Sequence, residues 1–227
     1  MLTASSVQEP AIFQVDREHT GLRLAILASF VGVWLVVFVL ISTLLAAEGP
    51  ALIAVLVGFG AAYLVTHYLE RYLKGVWHSG RSIQVSSAGV ELALKGAQQA
   101  QILSEDPARP LMWRFVISRR ARIPKGWSMF ACALTAEGQY LCAYTFMPPD
   151  KSDAYPRQGS FSRLEPKKPR TLRDDGREDL RLAGEQKRLR EAESMRWVAG
   201  AEMTPEDFIA FVDLLYTRFP EWMPAEK

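Results

Sequence analysis

The chain has 227 residues, enough for one or two domains, and a net charge of +2, too small an excess to argue for a nucleic-acid partner. Two cysteines and three histidines, scattered along the chain, exclude a disulfide framework and a four-ligand zinc site. A mean hydropathy near zero averages two populations, apolar residues in the first third and charged residues in the last.

The first predicted elements are membrane helices. Leu24 to Ala47 is a run of 24 residues without a charge. That is about 36 Å of helix at roughly 1.5 Å per residue, against a hydrocarbon core of about 30 Å. Ala51 to Leu69 is a second uncharged run of 19 residues. Glu48, Gly49 and Pro50 break the helix between them, which predicts a tight antiparallel hairpin over 21–72 behind an N-terminal segment at 1–20. The late start, the length and the lack of a cleavage pattern argue against a signal peptide. Apolar residues on every face argue against a buried soluble hairpin. Arg17 and Arg23 precede the first helix, and Arg71, Lys74 and Arg81 follow the second, while the turn carries only Glu48. The positive-inside rule then puts both termini in the cytoplasm of a bacterial inner membrane, where Cys132 and Cys142 stay reduced.

Small residues mark the helix faces expected to touch. Ala54, Gly58 and Ala62 recur every four residues on the second helix, and Ala28 and Gly32 do so on the first. Such stripes let backbones approach closely in lipid, packing the hairpin on itself or against another subunit. Trp34 lies deep in the first helix, away from the interface where tryptophan usually sits. It has a buried packing role, or it meets a partner helix or a pigment.

After the hairpin the period switches from helical to alternating. RSIQVSS and GVELALK read as strands joined at SAG, AQQAQIL as a third, and LMWRFVIS, GWSMFACAL and QYLCAYTF as three more, with TAEG as a turn. About six short strands predict an antiparallel barrel or sandwich. The last segment, TPEDFIAFVDLLYTRF, predicts an amphipathic helix with Thr204 as N-cap, Pro205 at the first helical position, and Glu206 and Asp207 meeting the dipole. Phe208, Phe211, Val212, Leu215 and Phe219 fall on one face. The fold class is therefore α+β, a membrane hairpin followed by a cytoplasmic β domain capped by a helix. A four-residue turn would pair Cys132 with Leu141 and put the two sulfurs on opposite faces, as buried small hydrophobes.

Antiparallel strands closed by one C-terminal helix is the element order of a pleckstrin-homology-like (PH-like) domain. Two membrane helices, the basic and aromatic exit YLERYLKGVW, and then SIQVSSAGVEL resemble the bacterial membrane-anchored PH-like family. Ile83, Val85, Gly89 and Val90 match its two-strand pattern. The resemblance covers roughly residues 20–147 and 195–220. It implies a PH-like domain over 73–147 and 195–222 that binds or scaffolds, with no catalytic residue to carry over. The chain departs from the family in a charged, proline-rich insert at 148–194.

In that insert Lys and Arg outnumber Asp and Glu. Pro148, Pro149, Pro156, Pro166 and Pro169 are expected to prevent regular structure in its first half. From about Asp175 to Trp197 the pattern predicts a helix interrupted at Gly184. Leu180, Leu182 and Leu189 are too few to cover a core alone. The insert is a disordered loop or lies on a partner.

No phosphate loop and no nucleophile elbow is present. His19 and His67 sit near the cytoplasmic ends of adjacent helices, where they ligate a haem or a metal or hydrogen-bond at the interface. No cofactor or metal is expected, and His78 has no obvious partner. From Tyr72 to Met147 there are nine basic against four acidic residues. Arg114, Arg119, Arg120, Arg122 and Lys125 form a basic cluster. Together with Arg71 and Lys74 they are candidates for contact with lipid headgroups or a partner protein. Each basic group near anionic lipid contributes roughly 1 kcal/mol. The expected function is a non-enzymatic scaffold or accessory subunit of a larger inner-membrane complex, such as a respiratory, photosynthetic or secretion assembly. It binds partner proteins through the cytoplasmic domain and insert. The alternative is a lipid- or ligand-sensing module acting without a stable complex.

Overall fold

The structure, a computed structural model, describes residues 9–17, 19–44, 51–118, 123–166 and 178–224. It is α+β, with two helices long and apolar enough to cross a membrane and two sheets. The chain divides into two compact units, Met1–Val15 with Gly80–Lys227, and Asp16–Ser79.

The smaller unit consists of α1 (Thr20–Leu44) and α2 (Ala51–Val76) packed on each other. The small residues of α2 form the contact. Ala54 and Ala62 are buried, and a Cβ on Gly58 would stand 2.9 Å from Trp34 Cδ1. Trp34 thus lies against a glycine, flanked by Phe38 and Phe59 with ring centroids 6.0 and 5.4 Å away. The small residues of α1 do something else. Ala28 and Gly32 are exposed, and nothing lies within 4 Å of a Cβ built on Gly32. A small stripe on one helix accepts bulky side chains from the other, so two small stripes need not face each other. The turn residues Glu48, Gly49 and Pro50 lie outside the described residues.

The larger unit begins before the hairpin. β1 (Ala11–Gln14) pairs antiparallel with β2 (Arg81–Ser86), so part of the N-terminal segment predicted at 1–20 is the edge strand of a sheet. β3 (Gly89–Leu94) and β4 (Ala97–Leu103) complete a four-stranded meander. Its tightest point is Gly89, at φ +145, where a Cβ would meet the carbonyl oxygen of Ile102 at 2.1 Å. Only glycine fits there.

The second sheet is built on β5 (Arg109–Val116), β6 (Ser128–Ala136) and β7 (Gln139–Met147), antiparallel throughout. Glu137 (φ 45) and Gly138 (φ 81) make a two-residue turn, with both central residues left-handed as a type I′ hairpin requires. This corrects the expected cysteine register. Cys132 pairs with Ala143 rather than Leu141, and Ala133 pairs with Cys142. The sulfurs do lie on opposite faces, each in a different core cluster.

The inner core holds Ile83, Val85, Val90 and Ile102 from the first sheet and Phe130, Cys132, Leu134 and Leu141 from the second. α5 (Pro205–Arg218) closes it with Phe208, Phe211, Val212 and Leu215. The Thr204 hydroxyl accepts from the Asp207 amide at 3.2 Å, capping the helix as the sequence predicts.

The predicted insert is ordered where it is described, and it belongs to the second sheet. Pro149 and Pro156 stand in the first turns of α3 (Pro149–Asp153) and of a 3-10 turn (Pro156–Ser160). They start short helices instead of preventing them, because a first-turn proline loses no hydrogen bond. β8 (Ser162–Arg163) then joins the β5 edge in parallel. α4 (Glu178–Ala199) runs through Gly184 without a break, and β9 (Ala201–Glu202) joins the opposite edge beside β7. A strap therefore leaves one edge of the sheet, packs on its outer face through α4 and returns at the other edge.

Candidate functional site

Two constellations stand out, one under the strap and one at the root of the hairpin. The outer face of β5–β7 presents Trp113, Met129, Ala131, Ala133 and Cys142, an apolar surface unlike the polar outer face of a half-solvated sheet. Among its described side chains, α4 contributes Leu189 and Ala192 to this apolar cluster. The rest of the attachment is polar. The Trp113 indole N–H donates to Glu193 Oε2 at 2.9 Å. Arg196 donates to the same carboxylate from Nε at 2.9 Å and from Nη2 at 2.6 Å. Its guanidinium lies 4.4 Å from the centre of the Tyr144 ring. Burial pushes the Arg196 pKa down, but the hydrogen bonds and charge of Glu193 outweigh that and leave it raised. At the front of the strap, Gln186 accepts from the Glu165 amide and donates to the Arg163 carbonyl, both at 2.9 Å.

The hairpin is spliced between two paired strands. The Val15 amide donates to the Arg81 carbonyl at 3.1 Å, so the point where the chain leaves the sheet and the point where it returns are adjacent. Arg81 clasps this root to the end of α4, donating from Nη1 to the Gly200 carbonyl at 3.0 Å and from Nη2 to the Ala199 carbonyl at 2.9 Å. Its Nε donates to Gln99 Oε1 at 2.9 Å. These are C-terminal helix carbonyls, which a cation satisfies in charge as well as in hydrogen bonding. The Lys95 amide donates to the Gly80 carbonyl at 2.6 Å, so the β3–β4 turn belongs to the same end of the domain.

A cleft of about 440 Å³ lies between the 3-10 turn and α5, lined by Tyr155, Pro156, Arg157, Gly159, Ser160, Ile209 and Asp213. Arg157 Nε donates to Asp213 Oδ1 at 2.7 Å, and the guanidinium stands 4.2 Å from the centre of the Tyr216 ring. Its charge is already matched within the chain.

Of the basic residues singled out in the sequence, Arg71, Lys74, Arg114 and Lys125 lie among the described residues. Arg114 sits in β5, half-buried, and its carbonyl accepts from the Leu164 amide at 2.8 Å beside β8. Lys125 is exposed in the turn before β6. Arg71 is exposed near the end of α2, and Lys74 pairs with Glu70 at 2.7 Å. Arg119, Arg120 and Arg122 lie outside the described residues. His19 stands edge-on to Trp77 at 5.4 Å, while His67 stacks on Tyr63 at 6.1 Å. Among the described residues no group of three or more His, Cys, Asp or Glu side chains is arranged to hold a metal ion. The two thiols are fully buried. Burial pushes Cys142 up to about 12 and Cys132 higher still, so neither is a nucleophile at neutral pH.

Neither the Arg81 clasp nor the Glu193 lock was read from the sequence. A signal for the lock was present in GWSMFACAL, whose continuous apolar run marks a strand buried on both faces. No family model, no curated protein and no solved structure matches the chain.

Proposed function

We propose that the chain is a membrane-anchored, non-enzymatic scaffold or accessory subunit that presents a PH-like domain on the cytoplasmic side of a bacterial inner membrane. The observation that carries this reading is the splice at the root. Two helices, each long and apolar enough to cross a membrane, are inserted between paired strands of one sheet. Two crossings then hold one end of the domain, a stiffer tether than a single terminal anchor. The order of the domain supports the PH-like assignment, with four meandering strands, three more, and a C-terminal helix over the core between them. The arginines flanking the helices support the cytoplasmic orientation.

Partner proteins are bound through the strap. Its helix is fixed to the sheet by the Glu193 lock and leaves Lys187, Arg188 and Arg190 exposed around its solvent side, with Lys187 3.9 Å from Glu191, a pre-ordered set of cations for an acidic surface. Pull-down of the tagged chain from its native membrane in mild detergent, read by mass spectrometry, tests this. Deleting the strap would uncover Trp113 and Met129, so the informative variant is Lys187→Glu/Arg188→Glu/Arg190→Glu. Stoichiometric partners lost in that variant are the expected result. A chain that copurifies with anionic lipid alone would favour the lipid-sensing alternative.

A further inference from the structure

We infer that the last turn of α4 is a second membrane contact of the domain, inserting Trp197 and Val198 into the headgroup region of the bilayer that holds the hairpin. This rests on the membrane-anchored reading above. Trp197 is 78% exposed and Val198 89%, although every other tryptophan of the larger unit is at least half-buried. The Arg196 guanidinium lies 5.1 Å from the centre of the Trp197 ring, yet both side chains stay largely in water. Their place in the fold points to the occupant. Arg81 ties the carbonyls of Ala199 and Gly200 to the root of the hairpin. From Gly80 back to the end of α2 at Val76 there are at most roughly 14 Å of extended chain. The end of the domain that carries Trp197 is therefore kept within a short tether of the helix ends, whatever the angle between the two units.

The surroundings have the chemistry of an interfacial belt. At the β3–β4 turn of the same root, Leu94 and Lys95 are both exposed. Tryptophan beside lysine suits the boundary between headgroups and acyl chains, with the ring at the carbonyl level and the ammonium among the phosphates.

The test uses the full chain reconstituted in vesicles of phosphatidylcholine and phosphatidylglycerol carrying nitroxide-labelled acyl chains. An environment-sensitive fluorophore is attached at Trp197→Cys or Val198→Cys in a Cys142→Ala background, since Cys142 is the thiol under the strap and Cys132 is fully buried in the inner core. Leu182→Cys, exposed near the other end of the same helix, is the water-facing reference, and Leu35→Cys in α1 reports on the hairpin. The expected result is blue-shifted emission and nitroxide quenching at 197 and 198, with neither at 182. Quenching at 35 but none at 197 or 198 overturns this inference and leaves the anchored reading standing. A blue shift at 197 without quenching means that protein covers the turn, which also overturns it. No quenching at 35 removes the membrane reading and this inference together.

Discussion

The two faces of the β5–β7 sheet are closed by unlike means. α5 closes the inner face with four fully buried side chains, Phe208, Phe211, Val212 and Leu215. α4 closes the outer face with Leu189, Ala192 and one carboxylate shared by Trp113 and Arg196. Apolar burial is distributed and non-directional, worth about 1.5–3 kcal/mol for each large side chain. A buried ion pair is concentrated, and its net contribution is small until one partner is removed. The inner cover therefore belongs to the cooperative fold. The outer cover is a strap that is expected to open by itself.

The largest effect is expected on the inner face. Phe211 is fully buried and meets Phe13 edge-on at 5.9 Å. Phe211→Ala is expected to cost about 3–5 kcal/mol. Because α5 touches both sheets, hydrogen exchange in detergent should quicken together in β2, β6 and α5. Loss of protection confined to α5 would erase the contrast.

Glu193→Ala comes next. Arg196 is only 5% exposed, and the substitution strands its guanidinium and the Trp113 indole. A cost of about 2–3 kcal/mol is expected, below that of a fully buried pair because Glu193 is partly exposed. It should appear as faster exchange in residues 181–199 with β2–β4 unchanged. Glu193→Leu combined with Arg196→Met should recover the part of the loss that comes from the stranded guanidinium, while the Trp113 indole N–H stays without its acceptor. An α4 that keeps its protection in Glu193→Ala would show that Leu189 and Ala192 suffice.

How much of this contrast was legible follows from the same residues. The inner cover was readable because TPEDFIAFVDLLYTRF carries its cap, its dipole charges and its apolar face within sixteen residues of local sequence. The strands β2 to β7 were readable from apolar patterning and turns, whereas the two-residue edge strands β8 and β9 were not. β1 was not, because four residues ending at a splice have no turn signal and pair with a strand about seventy residues later. The strap was missed because its attachments, through Glu193, Gln186 and Arg81, are polar contacts with residues distant in sequence, which leave no period in a run of mixed charges. The Arg81 clasp was invisible for the same reason, since its partners are backbone carbonyls some 118 positions away. Of the helix stripes, composition alone did not separate the one that receives Trp34 from the one that faces outward.

The cysteines give a sharper, smaller test, because one lies under each cover. Both thiols have folded pKa values raised above the unfolded value near 9, Cys142 to about 12. The sign follows from proton binding. Above pH 9 the unfolded chain loses these protons while the folded chain keeps them. The stability they contribute is thus complete below about pH 9 and falls as pH rises toward 12, by at most about 1.4 kcal/mol per pH unit for each thiol. Denaturant titrations at rising pH should show this decline, and Cys142→Ala should remove the share of it that this thiol contributes, leaving that of Cys132. At pH 8 a thiol reagent should modify Cys142 before Cys132, since opening the strap uncovers only the former. Equal rates at the two sites would mean that the covers open together.

The smallest effect isolates the strap. Gly184 lies inside α4, exposed, with no heavy atom within 4 Å of the place an alanine Cβ would take. A glycine in an exposed helix interior costs about 0.5–1 kcal/mol relative to alanine, through the backbone freedom it loses on folding. Gly184→Ala should therefore stabilise α4 by about that amount without adding a contact. If the strap opens separately, the gain slows exchange in residues 181–199 and slows modification of Cys142, while Phe211 and its neighbours respond only to global unfolding. The ratio of closed to open strap rises up to about fivefold at 1 kcal/mol. If instead the whole domain shifts its unfolding midpoint by the same free energy and the strap shows no separate gain, the outer cover is part of the cooperative core. The comparison between the two faces would then describe chemistry alone and not a difference in how they open.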